Sequence, residues 1–281
     1  MQRHNRIRLS LALLTVAVSF STSFAQQFSV TTKVVQPLPD AAPGEPQEEV
    51  VATSMTLFHA GKVFDWLPAV GEVTVFEPAH QRFILFNGKK RVATTVTFEQ
   101  IQQLLDAARD ETANYVSRLE SRDERDARTV VGPLKFQLKP DFSEEFVSSS
   151  NHLKLNSPHY SYQVDCGKAQ VPEATEEYLE FADWAARLNY VLHPRSQFPS
   201  PRLELNRSLR RRQMIPLRVK VNVAFDRPWV LEARHRFVWG FQSQERQHIQ
   251  HWESQLHNPD IKWVAFRKYQ QTVLQAVAQS K

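Results

Sequence analysis

The chain has 281 residues, 42% of them hydrophobic, which supports a real core and excludes a disordered chain. Its 35 Lys and Arg stand against 30 Asp and Glu, but without Arg3, Arg6 and Arg8 the balance is 32 against 30. The basic excess therefore makes no case for nucleic-acid binding.

The first residues read as a processing signal. Arg3, Arg6 and Arg8 form a basic opening, and Leu9 to Phe20 is an apolar run shorter than the ~20 residues a spanning helix needs. Ser23-Phe24-Ala25 is a small-x-small site followed by polar Gln26-Gln27. That order predicts a signal peptide over 1–25, cleaved after Ala25, and a periplasmic or secreted protein. No cysteine directly follows the apolar run, where a lipoprotein's acylation site would stand. No later stretch is long and apolar enough to predict a transmembrane segment in the mature chain.

Residues 26–53 hold a β-prone segment, Phe28 to Val35, and a proline-rich acidic linker, "PLPDAAPGEPQEE". The main domain is predicted over 54–257. It opens as a meander with strands at Met55–Phe58, Lys62–Leu67, Glu72–Phe76, Arg82–Phe86 and Arg91–Thr97. Asn87-Gly88 predicts a two-residue hairpin turn, because both residues tolerate positive φ. "RFILF" is apolar on both faces, which predicts a strand covered on both sides.

Thr97 to Arg122 reads as a helix, with Thr97 as cap and Ile101, Leu104, Leu105 and Ala108 in one stripe. Its end, "SRLESRDERDAR", reads as a solvated charged run. "LKFQLKP", "HLKLNS" and "HYSYQVDC" alternate and predict strands of a sheet with one wet face. Glu173 to Leu192 is a helix with Tyr178, Phe181, Ala182, Ala185, Leu188 and Leu192 on its stripe, stopped at His193-Pro194. A short helix is predicted from Pro201 to Gln213. Alternation in "PLRVKVNVAF" and "WVLEARHRFVWGF" predicts a hairpin turning at Asp226-Arg227-Pro228. Residues 258–281 form a helical tail after a break at Asn258-Pro259. The fold class is α+β, a curved, mainly antiparallel, half-barrel-like sheet with helices packed on one face.

The chemistry is sparse. There is no G-x-S-x-G elbow, no H-E-x-x-H, no Walker loop and no dinucleotide fingerprint. The only cysteine, Cys166, reads as a buried thiol. His248 and His251 share a helix face with Glu245 one turn before, and read as a polar helix surface. No metal, cofactor or catalytic residue is predicted. An envelope hydrolase is the alternative; it would bring two or more of Asp65, Asp165, Asp183, His235, His248 and His251 into one cleft. Arg207, Arg210, Arg211 and Arg212 form a basic cluster that reads as a partner or anion patch, or as a solvated face. A scaffold module docking through that patch is a further alternative. The aromatics Phe64, Trp66, Phe76, Phe83 and Phe86 read as the lining of an apolar pocket or as a packed core.

Two stretches carry a resemblance, "MTLFHAGKVFDWL…GEVTVFEPAHQRFILFN" and "RRRQMIPLRVKVNV". Both resemble secreted bacterial proteins of the lipoprotein-carrier (LolA/LolB-like) type and their uncharacterised exported relatives. The resemblance implies an antiparallel half-barrel closed by helices over an apolar cavity, with no catalytic residue. It implies a non-enzymatic role, binding a lipid, a lipoprotein or another envelope partner.

Overall fold

Turn chemistry sets the first half of the sheet. The computed structural model describes residues 27–38, 46–121, 127–193, 196–225 and 228–279. The predicted signal peptide lies outside the described residues, as do most of the charged run after Glu120, the centre of the proline-rich linker, Pro194, and Asp226-Arg227.

β2 (Glu48–His59) and β3 (Lys62–Leu67) join through Ala60-Gly61, with φ of 51° and 71°. Two positive-φ residues match the right-handed twist of the flanking strands. β4 (Glu72–Glu77), β5 (Arg82–Asn87) and β6 (Val92–Thr97) continue the antiparallel meander. The predicted Asn87-Gly88 turn is replaced by a longer loop. Asn87 stays in β5 opposite Val92, its side chain accepts from the Lys90 amide, and the positive φ falls on Arg91.

The β-prone N-terminal segment is not an appendage. β1 (Phe28–Pro37) pairs with β2 on one side and β11 (Trp229–Trp239) on the other. β10 (Ile215–Val223), β9 (Tyr160–Gly167), β8 (His152–Asn156) and β7 (Ser143–Val147) extend the sheet beyond β11. A short β12 (Lys262–Trp263) adds the one parallel pairing, on β6. Among the described residues the result is one open twelve-stranded sheet, ordered β12-β6-β5-β4-β3-β2-β1-β11-β10-β9-β8-β7. The fold is α+β, as the sequence predicts.

The described residues form six helices. α1 (Phe98–Glu120) starts at the predicted cap, Thr97, which forms a capping box with Gln100. α2 (Ala127–Leu138) occupies "LKFQL", which alternation assigns to a strand. Helix wins there through packing: buried Phe136 stacks at 6.1 Å on Tyr160 and meets Phe142 edge-on at 5.0 Å. α3 (Pro172–Leu192) and α4 (Ser200–Arg212) lie where predicted. α5 (Ser243–Leu256) and α6 (Phe266–Gln279) flank the break at Asn258-Pro259.

The helices divide between the two faces. α1 to α4 and α6 join the main core, through residues such as Ile101, Phe136, Tyr178, Leu205 and Tyr269. α5 covers the opposite face of β2 to β6, where Ile249 and Trp252 pack on Phe64, Val75, Ile84 and Phe86. Helices on one face alone is thus corrected: "RFILF" needs cover on both sides, and α5 supplies the second. Phe83 and Leu85 enter the main core, Ile84 and Phe86 the other.

At the middle of the sheet Phe28 and Phe58 face each other in register and stack at 4.1 Å, both essentially inaccessible to solvent. Phe181 of α3 meets Phe58 edge-on at 5.9 Å. Replacing Phe58 by Ala should cost about 3–5 kcal/mol, the range for truncating a buried aromatic. Chemical denaturation checks it, with a lower midpoint at unchanged slope as the expected outcome.

Candidate functional site

A cavity of about 1160 Å3 lies between the main-core face of the sheet and helices α1 to α4. Ligand sites commonly measure ~300–1,000 Å3. A second cleft, about 540 Å3, sits at the surface beside α4. The cavity is open to solvent, so the space holds water or a ligand.

The cavity exists because one helix face is small. α3 presents Ala182, Ala185 and Ala186 to it, between Phe181 and Tyr190. The opposite wall follows the strand register. Tyr162, Val221 and Leu231 form one cross-strand row, and Val219, Ala233 and Val34 form the next. Then the rows turn polar. His235, Thr32 and Ser54 follow, and beyond them Thr56 and Asp65. One side of the sheet floor is thus mainly aliphatic, with the Tyr162 phenol at its margin, and the other carries hydroxyls, a carboxyl and an imidazole.

The polar end is hydrogen-bonded within itself. Thr56 Oγ1 donates to Asp65 Oδ1 at 2.7 Å, and Ser54 bonds the same carboxyl. Burial, opposed by those bonds and helped by Glu72, pushes Asp65 up to about 6. Thr32 Oγ1 lies 2.9 Å from His235 Nδ1, and His235 Nε2 is buried without a partner. Burial and the nearby Arg202 cation push His235 down to about 3, so the imidazole is neutral at ordinary pH. Tyr178, at 6.3 Å from the His235 ring, accepts a hydrogen bond from Arg202 and also feels Asp65. Tyr160 donates to Gln197 Oε1 at 2.7 Å and is also a wall residue.

The predicted site residues lie elsewhere. None of Phe64, Trp66, Phe76, Phe83 and Phe86 lines the cavity. Phe64 and Trp66 pack on Trp252 of α5 at 6.1 and 5.8 Å, and Phe86 joins that cluster. Phe76 and Phe83 are 5.1 Å apart and lie under Phe98, whose ring stacks on Trp184 at 3.8 Å. Every basic residue of the α4 cluster meets an acid. Arg207 bonds Glu204, Arg210 bonds Glu176 and Asp183, and Arg211 and Arg212 both bond Glu144.

The acids and histidines named for a hydrolase do not converge. Asp65 lines the cavity and His235 adjoins it through Thr32, but the two bond different hydroxyls. Asp165 pairs with His152 at 2.8 Å, and Asp183 with Asn206 and Arg210. His248 is layered against Trp66 and Trp252 on α5, and His251 is exposed on the same helix. Among the described residues no three His, Cys, Asp or Glu side chains are grouped to hold a metal ion. Cys166 is buried, and burial pushes its thiol up to about 11.

The sequence matches no protein-family model and no curated protein.

Asp65 has a measurable signature. Its folded pKa lies above the unfolded value near 3.8, so the folded state binds the proton more tightly. Stability from this group is therefore lost as pH rises from about 4 to about 6, by at most roughly 3 kcal/mol. Asp65→Asn should keep the Thr56 bond, flatten that part of the pH profile and raise stability at pH 7.5. Denaturation midpoints of both proteins across pH 4 to 8 check this.

Proposed function

We propose that this protein is a non-enzymatic binder of an apolar or amphipathic ligand, a lipid or the acyl part of a lipoprotein, held between the sheet and α3. The observation that carries the reading is the large cavity roofed by Ala182, Ala185 and Ala186 and floored by aliphatic strand residues. Three consecutive inward positions without bulk leave open a space that Leu or Phe would close. An apolar guest recovers about 0.8 kcal/mol per buried methylene, and this site supplies apolar walls for many of them.

The antiparallel sheet covered by helices accords with the lipoprotein-carrier resemblance, and the signal pattern over residues 1–25 accords with a role in the cell envelope. The hydrolase reading has less support, because the acids and histidines named for it are dispersed, Asp165 paired with His152 and Asp183 with Asn206 and Arg210. The scaffold reading has less support too, because Arg207 to Arg212 meet acids of the same chain. Among the described residues no helix is long and apolar enough to cross a membrane.

The test is titration with N-phenyl-1-naphthylamine, a neutral dye that brightens in apolar surroundings. The wild-type protein should take up one dye saturably. Ala185→Trp should fill the roof and weaken uptake by at least about tenfold, a loss of roughly 1.4 kcal/mol, with no fall in melting temperature. Equal uptake by the variant, or none by the wild type, would contradict the reading.

A further inference from the structure

The amino end of α4 opens on the polar part of the cavity, and it is built against the usual rules. Helix starts favour acids and side-chain caps, because their free amides are electropositive. α4 has Pro199 at its cap position with no side-chain cap bond, and no acid in its first turn. In that turn stands Arg202, a cation where a cation is disfavoured.

Arg202 is the one Lys or Arg among the described residues of the cavity wall. It makes no ion pair with any described residue. Its Nε donates to Asn206 Oδ1 at 3.1 Å and it bonds the Tyr178 hydroxyl. The acid nearest by hydrogen bonds is Asp183, one step beyond Asn206 and already paired with Arg210. The contrast with the rest of α4 is sharp, since Arg207, Arg210, Arg211 and Arg212 each meet a carboxylate.

Two buried polar atoms in and beside the cavity are unpartnered among the described residues. Ser196 Oγ belongs to the cavity wall and is buried without a partner. His235 Nε2 is likewise unpartnered, and its ring lies beside Tyr178 and within the field of Arg202. Buried polar atoms normally find partners, and these two have hydrogen-bonding capacity that no described residue uses.

We propose that Arg202 receives the single negative charge of the ligand's head group, a carboxylate or a phosphodiester, while the tail lies on the aliphatic rows under the α3 alanines. This rests on the binding function proposed above and narrows it to anionic amphiphiles. One guanidinium offers a two-pronged contact to one anionic group, and the wall holds no second cation for a more highly charged head.

Displacement of the naphthylamine dye from the full protein tests it, using three twelve-carbon amphiphiles: dodecanoate, dodecanol and lauroyl lysophosphatidylglycerol. An anion should displace the dye at a concentration at least about tenfold below that of dodecanol. Dodecanoate as the tighter of the two anions assigns a carboxylate head, and the lysolipid as the tighter assigns a phosphodiester; either supports the proposal. Arg202→Gln should remove the preference for the anion, read in each variant as the ratio of the dodecanol and anion displacement concentrations so that any change in dye affinity cancels, and Arg202→Lys should restore part of it. Dodecanol competing as well as both anions with the wild-type protein would overturn the proposal, whatever the variants do. An anion preference that survives Arg202→Gln would also overturn it. A protein that binds no dye overturns the binding function itself, a separate result.

Discussion

One strand holds the two halves of this protein together. Within the described sheet, β1 is the strand that pairs with both the meander β2 to β6 and the run β11 to β7. Because it pairs on both sides, the inner face is continuous across the seam, and α3 lies over it with Tyr178 and Phe181 packed against Phe58. The Phe28–Phe58 stack anchors the seam. On the side of β11 and β10 the helix changes from aromatic to alanine, and the core opens into the cavity. Core and cavity are thus two consequences of one helix crossing one junction, bulky at one end and small at the other.

The polarity of the cavity is ordered in the same way. Register puts aliphatic rows under the alanines and polar rows near Tyr178, where each polar group is costly to bury alone. Asp65 meets that cost with two hydroxyl bonds and a raised pKa, His235 by staying neutral, and Arg202 by a helix amide partner and a phenol. Arg202 makes no ion pair with any described residue. The outer face offers no comparable chemistry: its aromatics close on α5, and its charged groups pair across strands, as Arg234 does with Glu48.

Much of this architecture was legible in residue pattern, and the site was less so. The meander, the cap at Thr97 and the extents of α3 and α4 follow from period and turn residues, which are local signals. α2 was misread because "LKFQL" alternates over too few residues to separate strand from helix, and Phe136 settled the matter through distant Tyr160. The aromatics Phe64, Trp66, Phe76, Phe83 and Phe86 drew attention because they are large, yet large side chains fill space. The residues that keep space open are small, and the stripe Ala182, Ala185 in "EFADWAARLN" carries that signal. Arg202 had a signal as well, an arginine just inside a proline-started helix. Its meaning depends on which acids lie near it in three dimensions, which no spacing rule reports.

The central claim is that the cavity is a binding chamber and not merely a packing defect. Native mass spectrometry of the protein purified without detergent, with organic extraction of whatever travels with it, tests that most directly. The account predicts one bound amphiphile per chain, released on extraction and taken up again by the emptied protein. An empty mass before extraction, with no uptake of any amphiphile afterwards, would contradict it.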